Sequence, residues 1–449
     1  MAVPAWKELA TQGEGPTAAF VDATSTDFSK TRVLHGARRD SGDGSRKAGE
    51  PVTREDTVEL RVPLERVLRA GHPWVFRRAL RKPPRSAGRV VAVHGRDGRF
   101  IGRGISDDGA IAVRMFTTRD EPVDGRLFAE RLAEAFKLRE QILPPETNAY
   151  RLVHGEGDRL PGFVVDLYGD YAVLRFDSPA LHSWLPTWLE ALVPMFGRLG
   201  VRGAVARLPK DKDFGVQQVW GEPPPELVTV VERGMKLVAS LWHGQKTGLF
   251  LDHRESRWRI RELSEGCRVL NLYGYTGGFS VAAGLGGARE VVTVDSARPA
   301  LELATQSWNA NALEGQRHRV VVSDVPRYMH ALRDDERFDI VISDPPSFAP
   351  NQRAVPKATR AYQNLHQSCM QHVADGGLYL AASCSSHISL DVFETSLRDA
   401  ARATNRSATI LETWGAAPDH PVLRVFPEGQ YLKVCLLRIG DRRGTDQRA

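Results

Sequence analysis

A strand, glycine loop, helix and second strand occupy residues 269–295 and constrain the fold more than any other stretch of the chain. The apolar run 269–272 is typical of a buried strand, the glycine-rich segment 274–278 breaks it, and small apolar residues follow as a helix. A second apolar run, 291–294, ends in Asp295. The acid comes about 20 residues after the first glycine, the spacing at which a βαβ unit places a carboxylate against a ribose diol. The pattern therefore predicts a nucleoside site.

The spacing of the glycines favours one nucleoside cofactor. Dinucleotide loops follow G-x-G-x-x-G, which lets the backbone approach a pyrophosphate, whereas Gly274, Gly277 and Gly278 give G-x-x-G-G. S-adenosylmethionine has no phosphate, and its carboxylate suits a looser glycine turn at a helix N-terminus. Asp295 would then hold the ribose hydroxyls. A plain α/β turn with a capping acid is the alternative, and the glycines alone leave it open.

Further acids follow the next strands of the pattern. Asp324 comes after the strand 320–322, and Asp344 comes after the strand 338–342 and before two prolines. Alternating helices and strands imply a parallel sheet, and such sheets bind ligands at the carboxyl ends of their strands. Asp324 could accept a hydrogen bond from an adenine amino group. One such acid is usually a helix cap, but three at one edge favour a ligand crevice.

Cys384 follows the next strand, 377–383, at the same edge. Addition of a thiolate to C6 of cytosine makes C5 nucleophilic enough to attack a sulfonium methyl group, and covalent catalysis of this kind replaces one hard step by two easier ones. The thiolate requires a nearby cation or helix N-terminus, and His387 is a candidate neighbour. A buried packing role is the commoner fate of a free cysteine. We assign that role to Cys267, Cys369 and Cys435.

Composition excludes several classes of protein. The 449 residues suggest two to four domains, and 42% hydrophobic and 26% charged residues are ordinary for a globular protein. No apolar run is long enough for a membrane span, and no signal peptide is recognisable, so we expect a cytoplasmic protein. A net charge of +6 favours a polyanionic partner. The cysteines form no C-x-x-C pair, so we expect no metal.

We divide the chain into four parts. Residues 1–55 are polar and without periodicity, which predicts a disordered tail. Residues 56–140 contain short strands typical of a small β-barrel and then a helix. Residues 141–226 form a small α+β domain, and residues 227–449 carry the α/β pattern described above.

An aromatic and basic motif lies between the first two strands of the barrel. Stacking aromatics beside cations make a usable RNA surface, and the residues in question are His72, Trp74, Phe76, Arg77 and Arg78. The alternative is that Trp74 and Phe76 are core residues and the arginines a solvated face.

A loop dense in Gly, Lys, Thr and Asp, 243–254, precedes the glycine loop. It resembles a ligand loop, but its glycines and lysine are in the wrong order for G-x-x-x-x-G-K-[ST], so ATP hydrolysis is disfavoured. The predicted cofactor contacts combine this loop with the nucleoside site: Lys246, Thr247, Gly248, Arg254, Asn271, Tyr273, Gly274, Tyr275, Thr276, Gly277, Gly278, Asp295, Asp324 and Asp344.

The chain from about residue 57 onwards resembles the bacterial large-subunit ribosomal RNA cytosine-C5 methyltransferases that carry an N-terminal PUA domain. The similarity rests on GHPWVF at 71–76, on 151–162, on 243–254, on NLYGYTGGF at 271–279, on Asp295, on DPPSF at 344–348, on Ser383-Cys384-Ser385 and on DHPVLRVFPEGQYLK at 419–433. The resemblance implies a PUA domain, a central domain and a Rossmann-like class I methyltransferase domain whose last strands, 408–414 and 431–439, form an antiparallel edge.

The resemblance also implies roles for individual residues. Cys384 would be the nucleophile and Asp344 would hold the pyrimidine, with Pro345, Pro346 and Phe348 beside the substrate. Ser347 stands where the family often has lysine, and no glycine follows the Cys384 motif. The D-P-P turn contains no cysteine, so a two-cysteine scheme does not apply. The base that removes the C5 proton stays open.

The sequence thus predicts an S-adenosylmethionine-dependent methyltransferase that forms 5-methylcytosine in large-subunit (23S) ribosomal RNA. One alternative is a related enzyme that methylates a ring nitrogen such as guanine N7, which needs no thiol. The other is a non-catalytic RNA-binding assembly factor. Ribosomal RNA is the expected partner, no membrane or metal is expected, and a homodimer is left open.

Overall fold

The computed structural model describes residues 56–210, 213–313 and 317–442, and the predicted disordered tail, 1–55, lies outside them. The described chain is α/β, as predicted, and it builds three larger sheets and one two-stranded hairpin. None of the helices in these ranges has the length and apolarity that crossing a membrane requires.

The first sheet has five strands in the order β1-β3-β4-β5-β2. Its elements are β1 (Asp56–Glu59), α1 (Glu65–Arg69), β2 (Trp74–Phe76), β3 (Val90–His94), β4 (Phe100–Ser106) and β5 (Ile111–Thr117). Alternating apolar residues such as Val91 and Val93 pack with Leu60 and Val75 in one core. The small β domain predicted for this region is confirmed, and the aromatic motif supplies its edge strand β2, which pairs with β5.

The second sheet also has five strands, in the order β10-β9-β8-β7-β6. Its elements are α2 (Gly125–Ile142), β6 (Ala149–His154), β7 (Phe163–Tyr168), β8 (Tyr171–Phe176), α3 (Leu185–Leu199), β9 (Gly203–Lys210) and β10 (Asp213–Gly221). Asp124 begins α2 by accepting hydrogen bonds from two backbone N–H groups of its first turn. Phe128 of α2 stacks on Trp188 with a centroid distance of 3.9 Å. Helix α2 therefore packs on α3 and shares one core with this sheet, although the predicted division places it before residue 140. The domain boundaries stay predictions.

A hairpin, β11 (Val228–Glu232) and β12 (Met235–Ala239), leads into the third sheet. Seven strands follow the order β15-β14-β13-β16-β17-β19-β18. Its elements are α4 (Arg254–Leu263), β13 (Arg268–Leu272), α5 (Gly278–Leu285), β14 (Glu290–Asp295), α6 (Arg298–Ala310), β15 (Arg317–Val322), α7 (Val325–Ala331), β16 (Phe338–Ser343), α8 (Val355–His372), β17 (Val373–Ser383), α9 (Leu390–Ala403), β18 (Arg406–Trp414) and β19 (Lys433–Arg442).

The third sheet has the Rossmann-like topology expected from the sequence. Strands β13 to β17 run parallel, and β13, β14 and β16 at the centre are apolar on both faces, because helices cover both sides. Strand β19 runs antiparallel between β17 and β18, which confirms the predicted antiparallel edge. Since parallel strands end at one edge of a sheet, Asp295, Asp324, Asp344 and Cys384 all lie at the carboxyl ends of strands at that edge.

Candidate active site

The loop after β13 has a shape that excludes a side chain at two positions. A Cβ atom on Gly274 would lie 2.4 Å from Cγ2 of Thr293, and one on Gly277 would lie 2.6 Å from a methyl group of α6. Gly277 also has φ +75° and begins α5. Tyr273 and Tyr275 have φ values of 57° and 46°, which are strained for residues with a side chain. Strain of this kind clusters at ligand sites, and the loop exposes the N-terminus of α5 to an anion.

Two of the predicted acids hold local backbone turns. Asp295 accepts from the backbone N–H of Tyr275 at 2.9 Å through Oδ2, and from that of Ala297 at 2.8 Å through Oδ1. Asp324 is exposed and accepts from the backbone N–H of Arg327 at 3.3 Å as the cap of α7. Each carboxylate oxygen has a second lone pair. Capping and ligand binding are therefore compatible at both acids.

Asn271 supports the glycine loop from beneath. It is buried, and its Nδ2 donates to Oγ of Ser280 in α5 at 2.8 Å. Ser280 in turn lies 2.6 Å from Oγ1 of Thr293. Thr276 is buried as well. These side chains fix the position of α5 relative to β13 and β14.

The loop between β12 and α4 lies directly against the glycine loop. The hydroxyl of Tyr275 donates to the backbone O of Gly248 at 3.0 Å and accepts from the N–H of Gln245 at 2.7 Å. Thr247 is buried and donates to Oδ2 of Asp166 in β7 at 2.6 Å. Two predicted cofactor segments are thus in contact, and the second sheet holds one of them.

Arg254, another predicted cofactor contact, already has a partner. Its guanidinium donates to both carboxylate oxygens of Asp419 at 2.7 and 3.0 Å, and neither side chain is exposed. Burial opposes the charge of Asp419, but His420 and Arg254 outweigh it and hold the pKa of Asp419 well below its usual range. The geometry gives Arg254 a role in joining α4 to the segment before β19.

Asp344 begins the D-P-P turn after β16. Its Oδ2 lies 3.2 Å from Nε2 of His253, which is buried, and Nδ1 of His253 lies 3.2 Å from Oγ of Ser256. The carboxylate of Asp344 is 18% exposed. His253 therefore orients one carboxylate oxygen of Asp344, while the carboxylate remains partly exposed to the crevice.

Cys384 lies beside this turn at the end of β17. Its Sγ is 4.0 Å from the backbone O of Pro345, and the residue is half-buried. Burial raises the pKa of its thiol to about 11; the remaining influences are the carboxylates, which raise it, and the lysines, which lower it: Lys246, Asp344, Asp252 and Lys433. His387, the neighbour considered from the sequence, makes no hydrogen bond through Nδ1 to any described residue.

Comparison with known proteins identifies the family. A family model described as S-adenosylmethionine-dependent methyltransferase matches residues 200–434, and a model described as PUA-like domain matches residues 58–118. Ribosomal RNA large subunit methyltransferase I of Escherichia coli (strain K12) is 35% identical over 384 residues, which are 84% of this chain and 97% of that protein. The chain belongs to the S-adenosylmethionine-dependent methyltransferases. The same relative from Shigella boydii serotype 4 matches equally well.

Solved structures show the same fold. A putative SAM-dependent methyltransferase from Streptococcus mutans has a TM-score of 0.76 and 23% identity, and the match covers 85% of this methyltransferase and 100% of that chain. A second, a putative methyltransferase complexed with SAH, has a TM-score of 0.76 and 24% identity and covers 86% and 99%. These structures confirm the predicted fold, and the family model confirms the predicted family and cofactor.

S-adenosylmethionine fits the residues of this methyltransferase. The loop from Gly274 to Gly277 can take its shape only without side chains at these two glycines, because a Cβ atom at either one would clash with a neighbouring residue. The N-terminus of α5 suits the carboxylate of the cofactor. Asp295 has lone pairs left for the ribose. Among the described residues, no group of three or more His, Cys, Asp or Glu side chains is placed to hold a metal ion.

The aromatic residues predicted to contact RNA lie mostly inside the methyltransferase. His72 and Phe76 are buried. Trp74 donates from Nε1 to Glu156 at 2.8 Å, and its ring meets that of Phe426 at a centroid distance of 4.5 Å. The motif thus joins the first sheet to the other two. Phe76 is a core residue, as the alternative reading of the motif has it. A contact of Trp74 with RNA stays a prediction.

The remaining predicted substrate residues differ in exposure. Arg77 donates to two backbone carbonyls of the loop between β4 and β5, and Arg78 is partly exposed. Pro345 is buried, Pro346 is exposed, and Phe348 is partly exposed and packs on a tyrosine ring of α8. Of this group, Pro346 and Phe348 lie on the turn that begins at Asp344 and are accessible to a substrate.

Sequence reasoning missed four residues around Cys384 and Asp344, namely Asp252, His253, Tyr431 and Lys433. Asp252 accepts from Tyr431 at 2.7 Å and from Lys246 at 3.4 Å through Oδ2, and His253 follows it. Lys433 lies two residues after Tyr431 on the other segment. All four lie in the two stretches on which the family resemblance rests, 243–254 and 419–433, but their spacing in the sequence does not indicate that these stretches meet.

Proposed function

We propose that this methyltransferase forms 5-methylcytosine in large-subunit ribosomal RNA through a covalent adduct on Cys384. The observation that carries the proposal is the thiol of Cys384 at the carboxyl edge of the sheet, beside the turn that begins at Asp344. Relatives named ribosomal RNA large subunit methyltransferase I supply the substrate class. A cytoplasmic location belongs to the same proposal.

The chemistry assigns one task to each group. S-adenosylmethionine supplies an electrophilic methyl group when it is bound. The thiolate of Cys384 adds to C6 of cytosine, which converts C5 into a nucleophile that can accept the methyl group. A base or a water molecule then takes the C5 proton, the electrons of the C5–H bond form the C5–C6 double bond, and the bond between Sγ and C6 breaks with its electrons on sulfur, which restores the aromatic ring and the thiolate. Asp344, oriented by His253 at 3.2 Å, holds the pyrimidine ring.

RNA would reach this edge across the first sheet and the D-P-P turn. Support comes from the match to a PUA-like domain at residues 58–118 and from the exposure of Pro346. Arg77 and Arg78 would contact phosphates, and Trp74 would contact the RNA through the part of its ring that Phe426 leaves exposed. These contacts position the RNA, while the base is chosen at Asp344 and Cys384.

The test compares the wild type with Cys384→Ser and with Cys267→Ser, a control cysteine far from this edge that is also half-buried. Each is incubated with methyl-labelled S-adenosylmethionine and unmodified large-subunit RNA, followed by nucleoside analysis. We expect label in 5-methylcytidine with the wild type and the control, and none with Cys384→Ser. Label in 7-methylguanosine, or transfer that survives Cys384→Ser, would refute the proposal. Failure to bind S-adenosylmethionine would favour an assembly factor.

A further inference from the structure

Lys433 is a buried lysine beside the nucleophile. It begins β19 and pairs in register with Ser383 of β17, the residue before Cys384. Its Nζ donates to the backbone O of Ser385 at 2.6 Å and to that of Tyr431 at 2.8 Å. The amine is thereby held between the residue that follows Cys384 and the backbone of its own segment.

The surroundings of Lys433 suit a neutral amine. It is 7% exposed, and within the described ranges no carboxylate lies at ion-pair distance from it. A buried ammonium without a carboxylate is costly, because desolvation disfavours the charged form. A neutral amine has two N–H donors and one lone pair. The two carbonyls accept both donors, which leaves the lone pair available to a proton.

We propose that Nζ of Lys433 is the proton acceptor that converts the thiol of Cys384 into the thiolate. The inference rests on the proposed nucleophilic role of Cys384. In this step the S–H bond breaks, the proton binds to the lone pair of Nζ, and the electron pair stays on Sγ and then forms the bond to C6. The products are an ammonium and a thiolate that stabilise each other.

The other charged groups around Cys384 have different tasks. Lys246 already pairs with the carboxylate of Asp252 at 3.4 Å, so it acts as a fixed positive charge. Burial lowers the pKa of Lys433 to about 8, so Lys433 can change its charge near neutral pH. The titratable and charged groups that face Cys384 come from five elements or loops: Lys246, Asp252, Asp344, Tyr362, Tyr431 and Lys433.

The first readout is the rate at which iodoacetamide alkylates Cys384. Peptide mass spectrometry measures this rate at a series of pH values. This readout needs neither RNA nor methyl transfer, so it tests Lys433 even if Cys384→Ser refutes the proposed function. Lys433→Met removes the amine that takes up the proton and, as an ammonium, stabilises the thiolate, so we expect alkylation at pH 7.5 to slow by about tenfold, which corresponds to one unit in the pKa of the thiol. Lys433→Arg keeps a positive charge beside the thiolate, so its alkylation rate should stay near that of the wild type. Lys137→Met, on the exposed face of α2, is the control.

The second readout is the single-turnover rate of methyl transfer against pH. Lys433 accepts a proton only when neutral, so the wild-type rate should rise with pH and level off above about 8. Arginine has no available lone pair at these pH values. The methyl-transfer rate of Lys433→Arg should therefore show no rise that levels off near pH 8, and it should increase only as the pH approaches the pKa of the thiol. An unchanged alkylation rate in Lys433→Met would overturn the inference. So would a methyl-transfer rate in Lys433→Arg that still rises with pH and levels off near pH 8. If Lys433→Met fails to fold, Lys433→Arg decides.

Discussion

Gly274→Ala should weaken the binding of S-adenosylmethionine through a single steric contact. Gly274 does not have a positive φ, so alanine can adopt its backbone conformation. The new Cβ would lie 2.4 Å from Cγ2 of Thr293, over 1 Å closer than the ~3.5 Å at which carbon atoms pack. Thr293 cannot rotate freely, because its Oγ1 bonds to Ser280 at 2.6 Å and to His318 at 2.8 Å. The loop must therefore move.

Overpacking of this kind costs about 1–3 kcal/mol, and since about 1.4 kcal/mol is tenfold in affinity, we expect a loss of about 5- to 150-fold. Isothermal titration with S-adenosylmethionine and its demethylated product measures it. Thr293→Ser removes Cγ2 but keeps the hydroxyl, so adding it to Gly274→Ala should recover most of the affinity. A remainder will persist, because the Cβ also lies 3.2 Å from Nδ2 of Asn271.

Gly197→Ala is the matched control, because a Cβ atom there meets nothing within 4 Å. It should bind the cofactor like the wild type. Wild-type affinity in Gly274→Ala would show that the loop is not the cofactor cradle. A double variant no better than Gly274→Ala would show that Thr293 is not the cause of the loss.

Three further predictions concern buried polar pairs. Asp419→Ala leaves Arg254 buried without its carboxylate, so urea denaturation should show a loss of about 3–5 kcal/mol in the free energy of unfolding; less than about 1 kcal/mol would contradict this. Because folding lowers the pKa of Asp419, its contribution is fully present above pH about 4 and lost as the pH falls further, so the wild type and Asp419→Ala should converge only in acid. His253→Gln should slow methyl transfer about ten- to hundredfold, with unchanged cofactor affinity by titration, because Asp344 loses its orienting partner; an unchanged rate would exclude that role.

Local patterns were sufficient to predict the parallel sheet and its ligand edge. The apolar runs that became β13 and β14 and the break at Gly274 are readable from neighbouring residues alone. The position of Asp295 at the end of β14 follows from them, because strands in one parallel sheet end at the same edge. Fold and cofactor therefore depend on short-range information that any single sequence contains.

Partners that are distant in sequence could not be predicted in this way. Arg254 stands in a loop rich in ligand-type residues, and only the fold shows that Asp419 occupies its guanidinium. Trp74 beside a run of arginines indicates an RNA surface, yet Phe426 and Glu156 cover part of its ring in the folded chain. Polar and aromatic residues suit an interior contact and a ligand contact equally well, so residue type alone does not decide between them.

The segment before β19 connects the surroundings of Cys384 to the first sheet and to α2. Phe426 packs on Trp74 of the first sheet, and the backbone O of Asp419 accepts from Arg139 of α2 at 2.8 Å. The same segment ends at Lys433, whose Nζ is bonded beside Cys384. Because six residues separate Phe426 from Lys433, a shift of the first sheet that displaces the phenyl ring would also strain the position of the amine. This segment therefore gives the proposed docking of RNA on the first sheet a covalent connection to the amine beside Cys384.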